Sequence, residues 1–325
     1  MKITVILCTF NRCERLATAL ESVACSQLPE TVDWEVLVMD NNSSDRTRDV
    51  VESFCKPCPE RFRYLFEPKA GKSYALNTGI REARGEVLVF MDDDVTVEPM
   101  WLGNLTQILH DSQWAGAGGR VLPLWTAAPP PWLPKGPGAL APLAGFDLGV
   151  TAGPLLEAPC GTNMAFRKSV FDKFGGFRTD LGPRPGSEIR SEDAEFGARL
   201  LEARERLWYE PSAIVYHPVT ENRLRKQYFL VWWLDKARGD IRAFGAPIDD
   251  QWCVAGIPVY LFRRVLVWTL RWMVTLRPSP RFSCKIKVWA YVGEIKERYC
   301  LWREATRTSN ANSRLQSARK SNHPE

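Results

Sequence analysis

Glu86-Val87-Leu88-Val89-Phe90-Met91-Asp92-Asp93-Asp94 decides the reading of this chain. The apolar run reads as a buried strand, and the three aspartates stand where that strand leaves its sheet. Adjacent like charges are costly unless cations compensate them. Asp92 and Asp94 are two residues apart, which on extended chain turns both side chains the same way. An octahedral, oxygen-ligated divalent ion needs such a pair, and Mg²⁺ or Mn²⁺ in such sites usually also carries substrate phosphates. Taken alone, the cluster fits an acidic strand-to-loop turn equally well.

Working outward, residues 3–7, 34–39 and 62–66 are further short apolar strands, and 12–26, 45–55 and 73–84 carry helical patterns. Strands alternating with helices of that length predict βαβ units: an α/β chain with a Rossmann-like, mostly parallel sheet flanked by helices on both faces. Ligands of such sheets bind outside the carboxyl ends of the strands. Those ends read Thr9-Phe10-Asn11, Asp40-Asn41-Asn42 and Asp92-Asp93-Asp94, so three polar clusters converge on one rim.

At 325 residues with 45% hydrophobic content, the chain can build one large domain with an appendage. Its first eight residues are too short for a signal peptide and read as a strand, so a cytoplasmic protein is expected. Nine cysteines fit a reduced compartment better than a disulfide framework. Cys55-Lys56-Pro57-Cys58 lacks the second pair that a zinc ribbon needs. The net charge of +5 hides an asymmetry: residues 223–325 hold 20 Lys and Arg against 8 Asp and Glu, while residues 1–222 hold 23 against 30. A basic C-terminal third suggests an anionic surface, lipid headgroups or nucleic acid, and composition alone does not choose.

The order and spacing of several motifs resemble inverting glycosyltransferases of family 2, which have the nucleotide-binding fold called GT-A. The matching stretches are Ile6-Leu7-Cys8-Thr9-Phe10-Asn11-Arg12, Val38-Met39-Asp40-Asn41-Asn42-Ser43-Ser44-Asp45, and Gly71-Lys72-Ser73-Tyr74-Ala75-Leu76-Asn77-Thr78-Gly79-Ile80. They continue with Asp92-Asp93-Asp94, Cys160-Gly161-Thr162-Asn163-Met164-Ala165-Phe166-Arg167, Ser191-Glu192-Asp193 and His217, covering residues 1–240. The resemblance implies a nucleotide-sugar donor, UDP- or GDP-linked, and a divalent metal, Mn²⁺ or Mg²⁺. Asp40 would bond the base, Thr9 and Asn11 would frame base and ribose, Asp92 and Asp93 would lie on the nucleotide-sugar side, and Asn77 would support the pocket from behind. Asp94 and His217 would hold the metal, and Asn163 would lie on the acceptor side. Local readings remain beside these: Asp40-Asn41-Asn42-Ser43 is good turn chemistry, and Asn77 can bond a local carbonyl.

Direct displacement at an anomeric carbon needs a base for the acceptor hydroxyl. By the resemblance this is Asp193, with Glu192 as its supporting neighbour. Ser191 can N-cap a helix over 192–207, which puts Asp193 in the first turn, where acidic residues are also favoured by the helix dipole alone. Residues 125–157 form a Pro/Gly/Ala-rich passage whose tryptophans, Trp132 among them, can stack on an acceptor sugar or pack under a lid. Residues 179–190 are a second acceptor-side loop, able to order over a bound donor.

Residues 241–303 read as a helical extension and 304–325 as a disordered basic tail. Within 252–276, Arg263, Arg264 and Arg271 fall on one arc of a helix with Leu261, Val265, Trp268, Trp272 and Leu276 opposite. That pattern predicts an interfacial amphipathic helix meeting an anionic membrane surface, or a helix packed on the domain. No nucleic-acid module is recognisable. A sugar-nucleotide pyrophosphorylase would open with a Gly-rich basic loop, where this chain has Cys8-Thr9-Phe10-Asn11-Arg12. Processive family members carry Gln-x-x-Arg-Trp, which Gln227-Tyr228-Phe229-Leu230-Val231-Trp232 does not match. The expected function is therefore transfer of a single hexose-type sugar to a lipid-linked saccharide on the cytosolic face of a membrane. A soluble or protein acceptor, or a non-catalytic sugar-binding relative, are the alternatives.

Overall fold

The computed structural model describes residues 1–136, 138–143, 145–245 and 252–321, the side chains of 309–321 excepted. Strict alternation along the first strands sets the layers. In β1 (Lys2–Thr9), Ile3, Val5 and Leu7 face one side and Ile6 the other. In β2 (Asp33–Asp40), Trp34, Val36 and Val38 join the first set and Leu37 and Met39 the second. A strand apolar on both faces must be covered on both. α1 (Cys13–Ala24) and α2 (Thr47–Cys55) cover one face, through Leu16, Leu20, Val23 and Val51. After β3 (Phe62–Phe66), α3 (Lys72–Glu82) covers the other with Ala75, Leu76 and Ile80. β4 (Val87–Asp92) splits in the same way, Val89 to the first core and Leu88 and Phe90 to the second.

β5 (Thr96–Val97), α4 (Trp101–Gln107), β6 (Gly116–Trp125), β7 (Gly153–Leu155), β8 (Met164–Arg167), α5 (Lys168–Phe174), α6 (Glu192–Glu202) and β9 (Leu207–Val219) complete the first unit. The sheet order is β3-β2-β1-β4-β8-β6-β9-β5, with β7 against β9. β3, β2, β1 and β4 are parallel, and β8 enters antiparallel to β4. The mixed α/β architecture with a large sheet between helices agrees with the sequence reading.

Glu35, at the β2 edge of this core, is 2% exposed. It accepts hydrogen bonds from Thr4 Oγ1, Arg63 Nη1 and the Arg84 N–H, each at 2.9 Å. Burial alone would raise its carboxyl, but the bonds from Arg63, Arg84 and Thr4 outweigh that and hold it below its ordinary value. Glu35→Ala should therefore cost about 3 kcal/mol in chemical denaturation. Because the folded value is depressed, this stabilisation is present above pH 4.5 and is lost as pH falls through the folded value. The variant should accordingly show a shallower loss of stability in acid, and a profile parallel to wild type would contradict the assignment.

The chain divides into Met1–Pro130 with Pro134–Tyr228, and Pro131–Leu133 with the chain from Phe229 onward. The division falls inside α7 (Lys226–Phe244), earlier than the boundary at 240 read from sequence. The second unit adds the hairpin of β10 (Cys253–Val254) and β11 (Ile257–Pro258), then α8 (Val259–Val274) and α9 (Pro278–Ser321). α9 runs to Ser321, so the stretch from 304 that was expected as a disordered tail continues this helix, although its Ser, Asn and Thr residues are weak helix formers. Residues 322–325 lie outside the described residues.

The face expected to meet a membrane is corrected as well. Leu261 is buried, and Trp272 lies under Lys285 of α9, whose Nζ is 4.8 Å from its ring centre. The exposed apolar residues of α8 are Val259, Phe262, Leu266, Val267, Leu270, Met273 and Val274. The helix is apolar round most of its circumference, so its pattern does not say which arc meets α9. No helix among the described residues is long and apolar enough to cross a membrane.

Candidate active site

Parallel pairing sets the strand ends side by side, Thr9 opposite Asp40 and Cys8 opposite Asp92. The loops beyond them are laced together. Asn11, in a left-handed conformation (φ +52°), donates its N–H to Ser43 Oγ at 2.9 Å and accepts the Ser44 N–H on Oδ1 at 2.7 Å. Asp40 is buried, accepting the Ser43 N–H on Oδ1 at 2.9 Å and the Tyr64 hydroxyl on Oδ2 at 2.8 Å. Burial and the Asp40 carboxylate push the Tyr64 phenol up to about 12.

β4 ends at Asp92 and the chain turns, so the extended-chain alternation stops there. Asp92 accepts Lys72 Nζ on Oδ1 at 2.7 Å and Thr162 Oγ1 on Oδ2 at 2.6 Å. Asp93 takes Arg12 Nη1 at 2.9 Å, and burial pushes its carboxyl up to about 6 against the pull of Arg12. Asp94 Oδ2 takes Arg223 Nη2 at 2.7 Å and Arg12 Nη1 at 3.2 Å, with Arg15 Nη1 at 3.6 Å. Burial alone would raise Asp94, but the guanidiniums of Arg223 and Arg12 hold it well below the carboxylate range. Asp92 and Asp94 thus share none of these hydrogen-bond and ion-pair partners, contrary to the expectation that they face one cation together.

His217, buried on β9, sets Nε2 3.4 Å from Asp94 Oδ1 and 2.8 Å from Arg223 Nη1. A guanidinium only donates, so the bond at 2.8 Å requires a lone pair on Nε2, a tautomer assigned from the network. Neutral imidazole nitrogen is also the form that ligates metals. Adjacent corners of an octahedron with bonds of about 2.1 Å lie about 3 Å apart, so Nε2 and Oδ1 already stand near ligand spacing. No group of three or more His, Cys, Asp or Glu is gathered to hold an ion among the described residues. The pair suits a cation that completes its shell with phosphate and water.

α6 starts after Ser191, whose backbone is left-handed (φ +83°) and whose side chain makes no cap bond, unlike the cap expected from sequence. Phe196, one turn in, anchors the helix by stacking on Phe171 at 4.8 Å. Asp193 accepts the Gly161 N–H on Oδ2 at 2.7 Å and the Ala194 N–H on Oδ1 at 2.8 Å. A Cβ at position 161 would lie 2.7 Å from Asp193 Oδ2, so only glycine allows this approach. Glu192 is buried with an oxygen 3.5 Å from Lys72 Nζ; burial pushes its carboxyl up, and Asp193 and Asp92 add to that against Lys72.

A profile described as Glycosyl transferase family 2 matches residues 4–175. The chain belongs to glycosyltransferase family 2. It is 30% identical over 229 residues to a glucosyl-dolichyl phosphate glucuronosyltransferase of Haloferax volcanii, covering 69% of this chain and 71% of the relative. It is 28% identical over 239 residues to the succinoglycan biosynthesis protein ExoM of Rhizobium meliloti, covering 73% and 72%. Its fold matches the mannosyltransferase PcManGT of Pyrobaculum calidifontis, solved with GDP-Man and Mn²⁺, with a TM-score of 0.54 at 18% identity over 98% of this chain and 79% of that one. The fold is GT-A, and the protein is a glycosyltransferase.

Within this family 2 enzyme, several expected site residues serve other ends. Asn77 spends both ends of its amide on the Phe177 backbone, each at 2.8 Å, and so holds the segment leading toward α6 rather than a nucleotide. Asn163 is fully buried, bonding the Arg120 and Ala213 carbonyls and the Trp101 indole, so it is not an acceptor-side residue. Trp132 packs edge-on against Phe229 and Phe282 of the second unit, at 5.4 and 4.9 Å, rather than offering a sugar platform. The 179–190 loop is tied to the start of α3: Pro183 O accepts the Lys72 N–H at 2.9 Å and Leu181 O the Ser73 hydroxyl at 2.8 Å. Sequence reasoning missed Arg12, Arg15, Lys72, Thr162, Gly161 and Arg223 as site residues. Three adjacent carboxylates demand cations, and Arg12 and Lys72 stood within the motifs already quoted.

Proposed function

We propose that this enzyme transfers one sugar, with inversion, from a UDP- or GDP-linked donor to a hydroxyl of a lipid-linked saccharide. The observation carrying the reading is that Gly161 holds Asp193 while its neighbour Thr162 bonds Asp92, two residues before the Asp94 that pairs with His217. Asp94 and His217 would hold a divalent metal, Mn²⁺ or Mg²⁺, which when bound neutralises charge developing on the diphosphate. Arg12, Arg15 and Lys72 add fixed positive charge along the same rim. Asp40 and Thr9, buried at the ends of β2 and β1, and Asn11 in the loop beyond would frame the base and ribose. The acceptor oxygen attacks the anomeric carbon, the bond to the diphosphate breaks, and Asp193 takes the hydroxyl proton. Supporting this, PcManGT binds GDP-Man and Mn²⁺, and the Haloferax relative is named for a dolichyl phosphate substrate. A thermal-shift panel of nucleotide sugars with Mn²⁺ tests donor binding, since a ligand at about 100 times its dissociation constant adds about 2.7 kcal/mol. A flat panel across UDP and GDP sugars would contradict the reading.

The same proposal places the enzyme peripherally on the cytosolic face of a membrane, in keeping with nine unpaired cysteines. The second unit supports this. Residues 252–293 contain seven Lys and Arg and no Asp or Glu, beside the exposed arc of Phe262, Leu266, Leu270 and Met273. A second copy docked there by two-fold symmetry would set like charges together, whereas an anionic surface is complementary. Each basic side chain near such a surface adds about 1 kcal/mol. Wild-type protein should sediment with anionic vesicles at low salt, and Phe262→Glu with Leu266→Glu should release it. Equal sedimentation of both proteins would remove this face from the proposal.

A further inference from the structure

The Arg223 guanidinium bridges the two side chains assigned above to a metal. Its Nη2 lies 2.7 Å from Asp94 Oδ2 and its Nη1 2.8 Å from His217 Nε2. Asp94 Oδ1 and His217 Nε2 are both acceptors held 3.4 Å apart, with side chains no more than 5% exposed. Two such lone-pair groups stay close only if a positive group serves both. Here that group is the Arg223 side chain, which takes His217 Nε2 and the second oxygen of the same Asp94 carboxylate. It belongs to the turn after β9, six residues beyond His217, whose own N–H bonds Thr220 O at 2.9 Å. The turn lies outside the sheet, so the arginine can leave without disturbing the strands that hold Asp94 and His217.

We propose that Arg223 is a built-in stand-in cation: it closes the metal position in the free enzyme and moves onto the diphosphate when metal and nucleotide arrive together. The inference rests on the Asp94–His217 metal reading and adds an order to it. Asp92, Asp93 and Asp94 already face Lys72, Arg12, Arg15 and Arg223, so a dication arriving alone would enter a compensated site. A dication arriving with diphosphate brings its own countercharge, and the displaced guanidinium meets phosphate oxygens that its planar fork suits.

Free Mn²⁺ followed by electron paramagnetic resonance separates the possibilities, using wild type, Arg223→Gln, Arg223→Lys and Asp94→Asn, with circular dichroism melts to confirm folding. Without nucleotide, Arg223→Gln should bind Mn²⁺ at least about tenfold more tightly than wild type, the scale on which neighbours of metal ligands act. Arg223→Lys, which keeps the charge without the fork, should fall between them. With Mn²⁺ present, UDP or GDP should bind Arg223→Gln at least about tenfold more weakly than wild type, because the phosphate contact is gone. Equal Mn²⁺ affinity in wild type and Arg223→Gln, alongside loss in Asp94→Asn, would overturn the role of Arg223 and leave the metal site standing. Undiminished Mn²⁺ binding by Asp94→Asn would instead remove the metal reading itself, and this inference with it.

Discussion

Asp193→Asn is expected to lower turnover by about 10²–10⁴-fold, the range for loss of a positioned general base. The amide keeps the shape of the carboxyl and can still accept the Gly161 N–H that holds Asp193 at 2.7 Å. Donor binding should therefore change little, and the loss should appear in kcat rather than in affinity for the nucleotide sugar. The neighbouring Glu192 differs in kind: it is buried beside Lys72, and its carboxyl is pushed up. If Asp193→Asn kept near-full turnover while Glu192→Gln lost it, the two roles would have to be exchanged.

The second large effect concerns the cation. Asp94→Asn should reduce calorimetric affinity for UDP or GDP in Mn²⁺ by about 100-fold, since even outer-shell changes at metal sites reach 10–100-fold. Its affinity should then match that of wild type in chelator. His217→Ala should lose less, one donor of several being removed. Diphosphate affinity that ignores both chelator and the Asp94 substitution would leave only the arginines and Lys72 to hold the phosphates.

The sheet was legible in the sequence because its strands are apolar on both faces and end in polar clusters, a pattern that allows few other arrangements. Asp193 and His217 were singled out only through the order of motifs, and their roles stand as proposals: nothing in a first-turn aspartate or a lone histidine separates chemistry from structure. Asn163 and Asn77 misled for a related reason. An amide that saturates buried backbone groups looks, in sequence, like one that meets a ligand, and only its hydrogen bonds tell them apart. Asp92 and Asp94 were separated by a turn that begins at Asp93, where strand alternation assumed extended chain. The arginines were overlooked because their partners lie far off in the chain, 129 residues away for Arg223 and Asp94.

Lys72 sets one ammonium 2.7 Å from Asp92 and 3.5 Å from Glu192. On the proposed assignment, the first carboxylate belongs to the donor and the second stands beside the base. One point charge cannot serve both fully, so what draws Lys72 toward one loosens its hold on the other. At such separations two unit charges interact by about 4 kcal/mol at an effective dielectric constant of about 20. On that assignment, occupancy on one side would alter the charge felt on the other through Lys72.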